Sequence, residues 1–181
     1  METSPQTATF GLRLAAGVID FVVMAVLVFL LGKVCSLSQQ ASLLLVVPLA
    51  LVGFLYPFIT HARYGRTIGK YFLRIKVVRL DGARIGWNES LRRSSVDGIF
   101  SLIWASGLVY ATVHLPAESF QGQGWGTLYK LLMPLFPAYV VTMLFVSQFW
   151  PWSEFVTMLL NRQRRAIHDF IGSTRVVRVG T

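Results

Sequence analysis

Phe10-Gly-Leu-Arg13-Leu-Ala-Ala-Gly-Val-Ile-Asp20-Phe opens the first long apolar segment of the chain and carries two charges. Between residues 14 and 31, Asp20 is the only charged residue. A carboxylate at that depth of a membrane helix costs roughly 2.5–3.5 kcal/mol unless it is paired, hydrated or protonated. Arg13 lies about 10.5 Å away along the helix, and its side chain leans away from Asp20. The sequence therefore predicts that Asp20 is held by guanidinium groups from distant parts of the chain.

The composition is typical of an integral membrane protein. Of the 181 residues, 54% are hydrophobic and 14% are charged, whereas about a quarter are charged in a soluble domain. One domain is expected at this length. Cys35 is the only cysteine, so an intrachain disulfide is excluded and no cysteine-based metal site is expected. Without a nucleophile pattern, a metal-ligand set or a cofactor motif, we expect neither an enzyme nor a bound cofactor or metal.

Four apolar segments predict four transmembrane helices, at about residues 10–32, 41–60, 94–115 and 128–150. No positive cluster precedes the first segment, which favours a retained helix over a removed signal peptide. Residues 151–161 either lie in the interface or continue the fourth helix. The fold class is an all-α membrane protein, with residues 1–181 forming a single membrane domain that ends in a tail at 161–181.

Basic residues gather on two segments, and this distribution predicts the topology. Residues 61–95 hold nine Lys and Arg against two acidic residues, and residues 152–181 hold five Arg against two. The positive-inside rule places both segments, and with them both termini, in the cytoplasm. The same charge predicts contact with anionic lipid headgroups. A nucleic-acid partner is not expected, because topology already explains where the charge lies.

Residues 74–87 predict a small cytosolic β-hairpin between the second and third helices. Basic and apolar residues alternate after Arg74, Asp81-Gly82 follows, and a second run extends to Trp87. Asp-Gly between two such runs is a strong hairpin signal. Because two strands alone are marginally stable, we expect a third strand near the C-terminus, from Val176, Val177 and Val179.

Three separated motifs together carry a family resemblance over nearly the whole chain. They are Phe10-Gly-x-Arg13 with Ile19-Asp20, then Gly65-Arg-Thr-Ile-Gly69-Lys70 leading into Ile75-Lys-Val-Val-Arg-x-Asp-Gly82, and last Arg165-x-x-His168-Asp169-x-x-x-Ser-Thr174-x-Val-Val. In these motifs the chain resembles the RDD family of small bacterial membrane proteins, named for an arginine and two aspartates.

The resemblance implies roles for particular residues. The arginine of the family matches Arg13, the first aspartate matches Asp20, and the second is either Asp97 or Asp169. It also implies a multi-pass protein of the bacterial inner membrane, and transport, because some members are regarded as cation/proton antiporters.

The charged residues near the cytoplasmic interface form one candidate site. Burial raises the pKa of a carboxyl group and a nearby guanidinium lowers it, so a balanced site exchanges a proton for a monovalent cation. The candidate ion- or proton-binding residues are Asp20, Asp97 and Asp169; the counter-ion candidates are Arg13, Arg92 and Arg93; and His168 is a candidate proton relay. The sequence thus predicts a small secondary transporter, and a homo-oligomer, because four short helices rarely enclose a pathway alone.

The alternative is a non-transporting membrane subunit that docks on another membrane protein. In that interpretation the Arg–Asp salt bridges are purely structural and hold the helix ends in position. The transporter interpretation predicts that Asp20 faces a hydrated cavity or a protomer interface. The docking interpretation predicts a dry, fully paired Asp20 and an exposed apolar groove.

Overall fold

The structure is a computed structural model that describes residues 6–179. It is mostly helical, with one small sheet. The elements, in chain order, are α1 (Phe10–Cys35), α2 (Gln39–Tyr64), α3 (Ile68–Phe72), β1 (Ile75–Arg79), α4 (Trp87–Arg93), α5 (Ser95–His114), α6 (Trp125–Leu132), α7 (Ala138–Ser147), α8 (Phe149–Leu160), α9 (Ile167–Ile171) and β2 (Thr174–Arg178). Short 3-10 turns lie at Ala117–Phe120 and Met133–Leu135.

Three of these helices are long and apolar enough to cross a membrane, namely α1, α2 and α5. The count becomes four if Trp125–Leu135 and Ala138–Leu160, which are bent by 117° at the break between them, form one span. A polypeptide of this kind belongs in a bilayer, where helices satisfy their own backbone hydrogen bonds.

The fourth apolar segment differs from the single helix predicted over residues 128–150. α6 ends at Leu132, a 3-10 turn containing Pro134 follows, and α7 begins after Pro137. Proline lacks the N–H that a helix interior needs and clashes with the preceding turn, so the two prolines divide the segment. Of residues 151–161, for which the sequence allowed either an interfacial position or a continuation of the fourth helix, residues 151–160 are helical within α8.

The described chain divides into two compact units. The first contains residues 6–22, 54–96 and 149–179, and the second contains Val23–Gly53 and Asp97–Gln148. In the second unit Gly107 lets Val140 approach, because a Cβ at position 107 would lie 2.8 Å from a Val140 methyl. The core of the second unit includes Val46, Ala50, Leu108, Ala111, Phe120, Leu128, Leu132 and Val140.

The sheet of the first unit differs from the predicted hairpin. β1 forms where expected, but its strand partner is β2, antiparallel, with Val77 opposite Val176. The tail was expected only as a third strand. Within 83–87, Arg84 makes a single bridge to Val78 and Trp87 already begins α4. β2 is the better partner because Val176 and Val177, 3% and 5% exposed, bury apolar surface in the sheet.

The N-terminal segment extends this sheet on the other side of β2. Thr7 bridges Val177, the Ala8 N–H donates to the Val176 carbonyl at 2.9 Å, and the Arg178 N–H donates to the Gln6 carbonyl at 2.9 Å. The start of the chain, the segment after α2 and the tail are therefore joined in one small structure. Residues 180 and 181 of the predicted tail lie outside the described part of the chain.

Candidate functional site

The site begins with Asp169, the fully buried carboxylate of α9. Its Oδ2 accepts hydrogen bonds from the Ala166 N–H at 2.9 Å and from Arg13 Nη2 at 2.6 Å. Its Oδ1 accepts from Arg93 Nη1 and, at 3.4 Å, from the Thr174 hydroxyl. α1, α4, α9 and β2 thus meet at one side chain. We call Arg13, Arg93 and Asp169 the clamp.

The two guanidinium groups of the clamp bind more than the carboxylate. Arg13 Nη1 donates to the Arg164 carbonyl at 2.5 Å. Arg93 Nη1 donates to the Thr174 hydroxyl at 3.0 Å, and Arg93 Nη2 lies 2.5 Å from His168 Nε2. The clamp therefore ties together segments that are about 75 to 156 residues apart in sequence.

The charge state of Asp169 follows from these neighbours. Burial alone would raise the Asp169 pKa, but the charges of Arg93, His168 and Arg13 outweigh it. The Asp169 pKa therefore lies well below its usual range, and the carboxylate stays ionised. A group that keeps its charge under all ordinary conditions does not exchange protons, so the clamp is a fixed structural element.

Glu154 and His168 form a second contact beside the clamp. The His168 N–H donates to Glu154 Oε1 at 3.1 Å, and His168 Nδ1 contacts Glu154 Oε2. Burial and the Arg93 charge lower the His168 pKa. Glu154 is missing from the candidates found in the sequence, although the signal was there, since it is the only acidic residue between Glu118 and Asp169.

Asp20 has different partners from those predicted. Its Oδ1 accepts from the Tyr56 hydroxyl at 2.7 Å and from the Gly69 N–H at 2.8 Å. Its Oδ2 accepts from the Thr67 hydroxyl at 2.6 Å. Neutral donors, and not the predicted guanidinium groups, satisfy this carboxylate, because Arg13 points to Asp169. Tyr56 and Thr67 carry no charge, and the sequence predicted no site role for either, although Thr67 lies within the motif at residues 65–70.

Lys70 brings a positive charge to the Asp20 group. Its Nζ lies 3.4 Å from the Thr67 hydroxyl, which itself donates to Asp20. Burial and the Arg93 charge lower the Lys70 pKa, the Asp20 charge opposes them, and the result is about 8. We call Tyr56, Thr67, Asp20 and Lys70 the Asp20 group. Lys70 belongs to one of the motifs quoted from the sequence, but the sequence predicted no site role for it.

One cavity connects the clamp with Lys70. It has a volume of about 290 Å³, and Glu154 and His168 also line it, together with apolar side chains of α8 such as Phe155 and Met158. Arg13, Arg93, Lys70, Glu154 and His168 therefore line one space that is large enough to hold several water molecules.

The remaining candidates lie elsewhere on their elements. Arg92 is exposed whereas Arg93 is buried, because neighbouring residues on a helix point about 100° apart. Asp97 lies half-buried in the first turn of α5, in the second unit. Within residues 6–179, no group of three His, Cys, Asp or Glu side chains is arranged to hold a metal ion.

Comparison with known proteins adds one finding. The model of the RDD family matches residues 7–173, which is nearly the whole chain. No curated protein and no solved structure matches.

Proposed function

This chain belongs to the RDD family, and from that premise we propose that it is a small secondary transporter that exchanges a monovalent cation for a proton. The proposal rests on one observation: Lys70 Nζ lies 3.4 Å from the Thr67 hydroxyl, and that hydroxyl donates a hydrogen bond to Asp20 at 2.6 Å. The proton-carrying residue is Lys70 and the cation-binding residue is Asp20. Asp169, which stays ionised in the clamp, has neither role.

The ligand chemistry of the Asp20 group suits Na⁺, Li⁺ or K⁺. Carboxylate, hydroxyl and carbonyl oxygens are the ligands that hard cations prefer. Asp20 supplies a carboxylate, and the hydroxyls of Tyr56 and Thr67 have lone pairs that become available when each hydroxyl rotates. The Ala16 carbonyl oxygen also lies close to the Asp20 carboxylate. A Cβ added to Gly69 would be 2.1 Å from that oxygen and 3.0 Å from Asp20 Cγ.

Exchange follows from competition between two positive charges. With a Lys70 pKa of about 8, the amine is mostly protonated near neutral pH and its ammonium repels an incoming cation. Binding of a cation at Asp20 favours release of the Lys70 proton, and protonation of Lys70 favours release of the cation. A lysine with an ordinary pKa near 10.4 would keep its proton.

The proton reaches or leaves Lys70 through the cavity of about 290 Å³ that Glu154 and His168 share with it. His168 keeps its predicted role as proton relay, now with Glu154 as its partner. The clamp holds α1, α4 and α9 in place around this cavity. As predicted from the sequence, we further propose that the protein forms a homo-oligomer in the bacterial inner membrane, with both termini in the cytoplasm.

A flux assay tests the proposal directly. Purified protein in lipid vesicles under a pH gradient should move protons when Na⁺, Li⁺ or K⁺ is added, and choline should have no effect. Asp20→Asn and Lys70→Arg should each lower this flux at least tenfold, because the first removes the carboxylate charge and the second never releases its proton.

Two matched variants serve as controls. Lys33→Arg and Asp81→Asn change exposed residues and should keep the flux within twofold of the unmodified protein. If the unmodified protein moves no protons for any cation, the non-transporting subunit is the better interpretation. Flux that survives in Asp20→Asn and Lys70→Arg would instead remove the Asp20 group from the mechanism.

A further inference from the structure

An open cavity of about 750 Å³ lies where α2 ends, on the first unit. Four basic side chains line it, namely Arg63, Arg66, Lys76 and Arg84. None of the described residues that line it is acidic. A concave surface with one sign of charge raises the local concentration of ions of opposite sign, so the cavity fits an anion.

The other walls of the cavity are apolar and exposed. Tyr71 is 58% exposed, Phe72 is 67% exposed and Ile68 is 41% exposed, all three on the short helix α3. Tyr64, at the end of α2, is 64% exposed. Large aromatic side chains placed directly after a membrane-crossing helix are typical of the headgroup level of a bilayer.

Local contacts hold the basic groups in position. The Arg66 guanidinium lies 4.5 Å from the centre of the Tyr71 ring, in a cation–π contact. The Arg84 guanidinium donates to the Arg63 carbonyl in the last turn of α2. The Lys76 side chain packs against Gly65, where a Cβ would come within 2.8 Å of Lys76 Cε. These contacts hold the cations at the wall of the cavity, and no acidic residue between positions 6 and 179 lines it.

We propose that this cavity binds the headgroup of an anionic phospholipid, whose acyl chains run along Ile68, Tyr71 and Phe72. Charge complementarity favours the phosphate, and the exposed aromatic groups favour the attached chains. A free anion would use the four cations but not the apolar wall, and an acidic peptide would not need a site at the end of a membrane span. The four cations that would hold the headgroup, Arg63, Arg66, Lys76 and Arg84, do not belong to the Asp20 group, although Thr67 lines this cavity as well. Loss of lipid binding and loss of cation-driven flux are therefore separate outcomes.

Lipid binding to the purified protein tests the inference. The detergent-solubilised chain is titrated with dioctanoyl phosphatidylglycerol and with dioctanoyl phosphatidylcholine, and bound lipid is counted by native mass spectrometry. We expect phosphatidylglycerol to bind at least tenfold more tightly. The double variant Arg63→Gln/Arg84→Gln should lose that preference, because each cation near a bilayer surface adds measurably to the attraction of anionic lipid.

The matched control removes two exposed charges outside the cavity, in Arg92→Gln/Arg162→Gln, and should bind phosphatidylglycerol within twofold of the unmodified protein. A third probe, sn-glycerol 3-phosphate, carries the phosphate without chains and should fail to displace the lipid. The inference is overturned if both lipids bind equally, if the two double variants lose binding to the same extent, or if glycerol phosphate competes at lipid concentrations.

Discussion

Asp20, which is half-buried, and Asp169, which is fully buried, have different partners in the first unit. Asp169 is held by two guanidinium groups, whereas the carboxylate of Asp20 is held by two hydroxyls and one backbone N–H. Guanidinium partners fix the charge of a carboxylate. Hydroxyl partners leave oxygen atoms that also bind a cation. The proposed exchange site is therefore Asp20.

Removing the Asp169 charge should strongly destabilise the fold. In Asp169→Asn two buried guanidinium groups lose their counter-charge, and breaking a buried pair in this way typically costs about 3–5 kcal/mol. Thermal unfolding in detergent, followed by the loss of helical circular dichroism, measures the effect. The control is Asp81→Asn, which breaks an exposed pair with Arg79 and should change the free energy of unfolding by about 1 kcal/mol or less. If the two variants were equally stable, the clamp would make no contribution to the stability of the fold.

The same carboxylate gives stability a pH dependence. The folded Asp169 pKa lies below the unfolded value, so the folded state binds fewer protons between the two. Its contribution is complete above the unfolded pKa of about 3.9 and falls as pH falls below that value. Asp169→Asn should lack this part of the acid destabilisation, and the difference between the two unfolding curves should shrink as pH falls from 5 toward 2.

At the residue scale, the sequence indicated which charges matter but not how they pair. Arg13, Arg93, Asp20 and Asp169 were all candidates, because charges are rare in an apolar chain. Their pairing depends on where α3 and α9 bring short side chains and backbone N–H groups, and neither helix is longer than five residues. Composition and spacing carry no information about such contacts, so the neutral partners of Asp20 were missed.

At the scale of elements, the close approach of α3 to α1 determines the geometry of the Asp20 group. A Cβ at position 69 would lie 2.1 Å from the Ala16 carbonyl, so only glycine allows the Gly69 N–H to reach Asp20. The glycine motif around residues 65–69 thus has a packing role beside α1. The motif was recognised in the sequence as part of the family resemblance, but the sequence did not show that it faces α1.

Gly69→Ala should therefore push α3 away from α1. We expect a loss of about 1–3 kcal/mol of folding free energy from overpacking, together with loss of cation-driven flux. Gly11→Ala is the matched control, because nothing lies within 4 Å of a Cβ added there, and alanine in a helix interior is neutral or stabilising. A Gly69→Ala variant as stable and as active as Gly11→Ala would contradict the close packing.

At the scale of the whole molecule, length, composition and charge predicted the membrane class and the apolar helices well. α1, α2 and α5 lie close to the predicted spans, because long apolar runs in a chain with few charges have few alternatives. Pairing between distant segments was harder. β1 followed its local pattern, but the choice of β2 over residues 83–87 depends on burial of valines about 100 residues away, which a local turn signal does not report.

The sheet also bears on topology. Because residues 6–8, β1 and β2 are joined in it, these three segments lie on the same side of any membrane that the helices cross. The cytoplasm stays a prediction for that side, made from the basic residues by the positive-inside rule.

The central claim is that a cation at Asp20 and a proton on Lys70 exclude each other, and proton release on cation binding measures this most directly. Na⁺, Li⁺ or K⁺ is added to weakly buffered protein in detergent, with choline chloride matching the ionic strength, and a pH indicator counts the protons. Near pH 7, where Lys70 with its pKa of about 8 is mostly protonated, we expect close to one proton per bound cation, little release at pH 9, and none from Lys70→Arg. No release from the unmodified protein, or equal release from Lys70→Arg, would contradict the account.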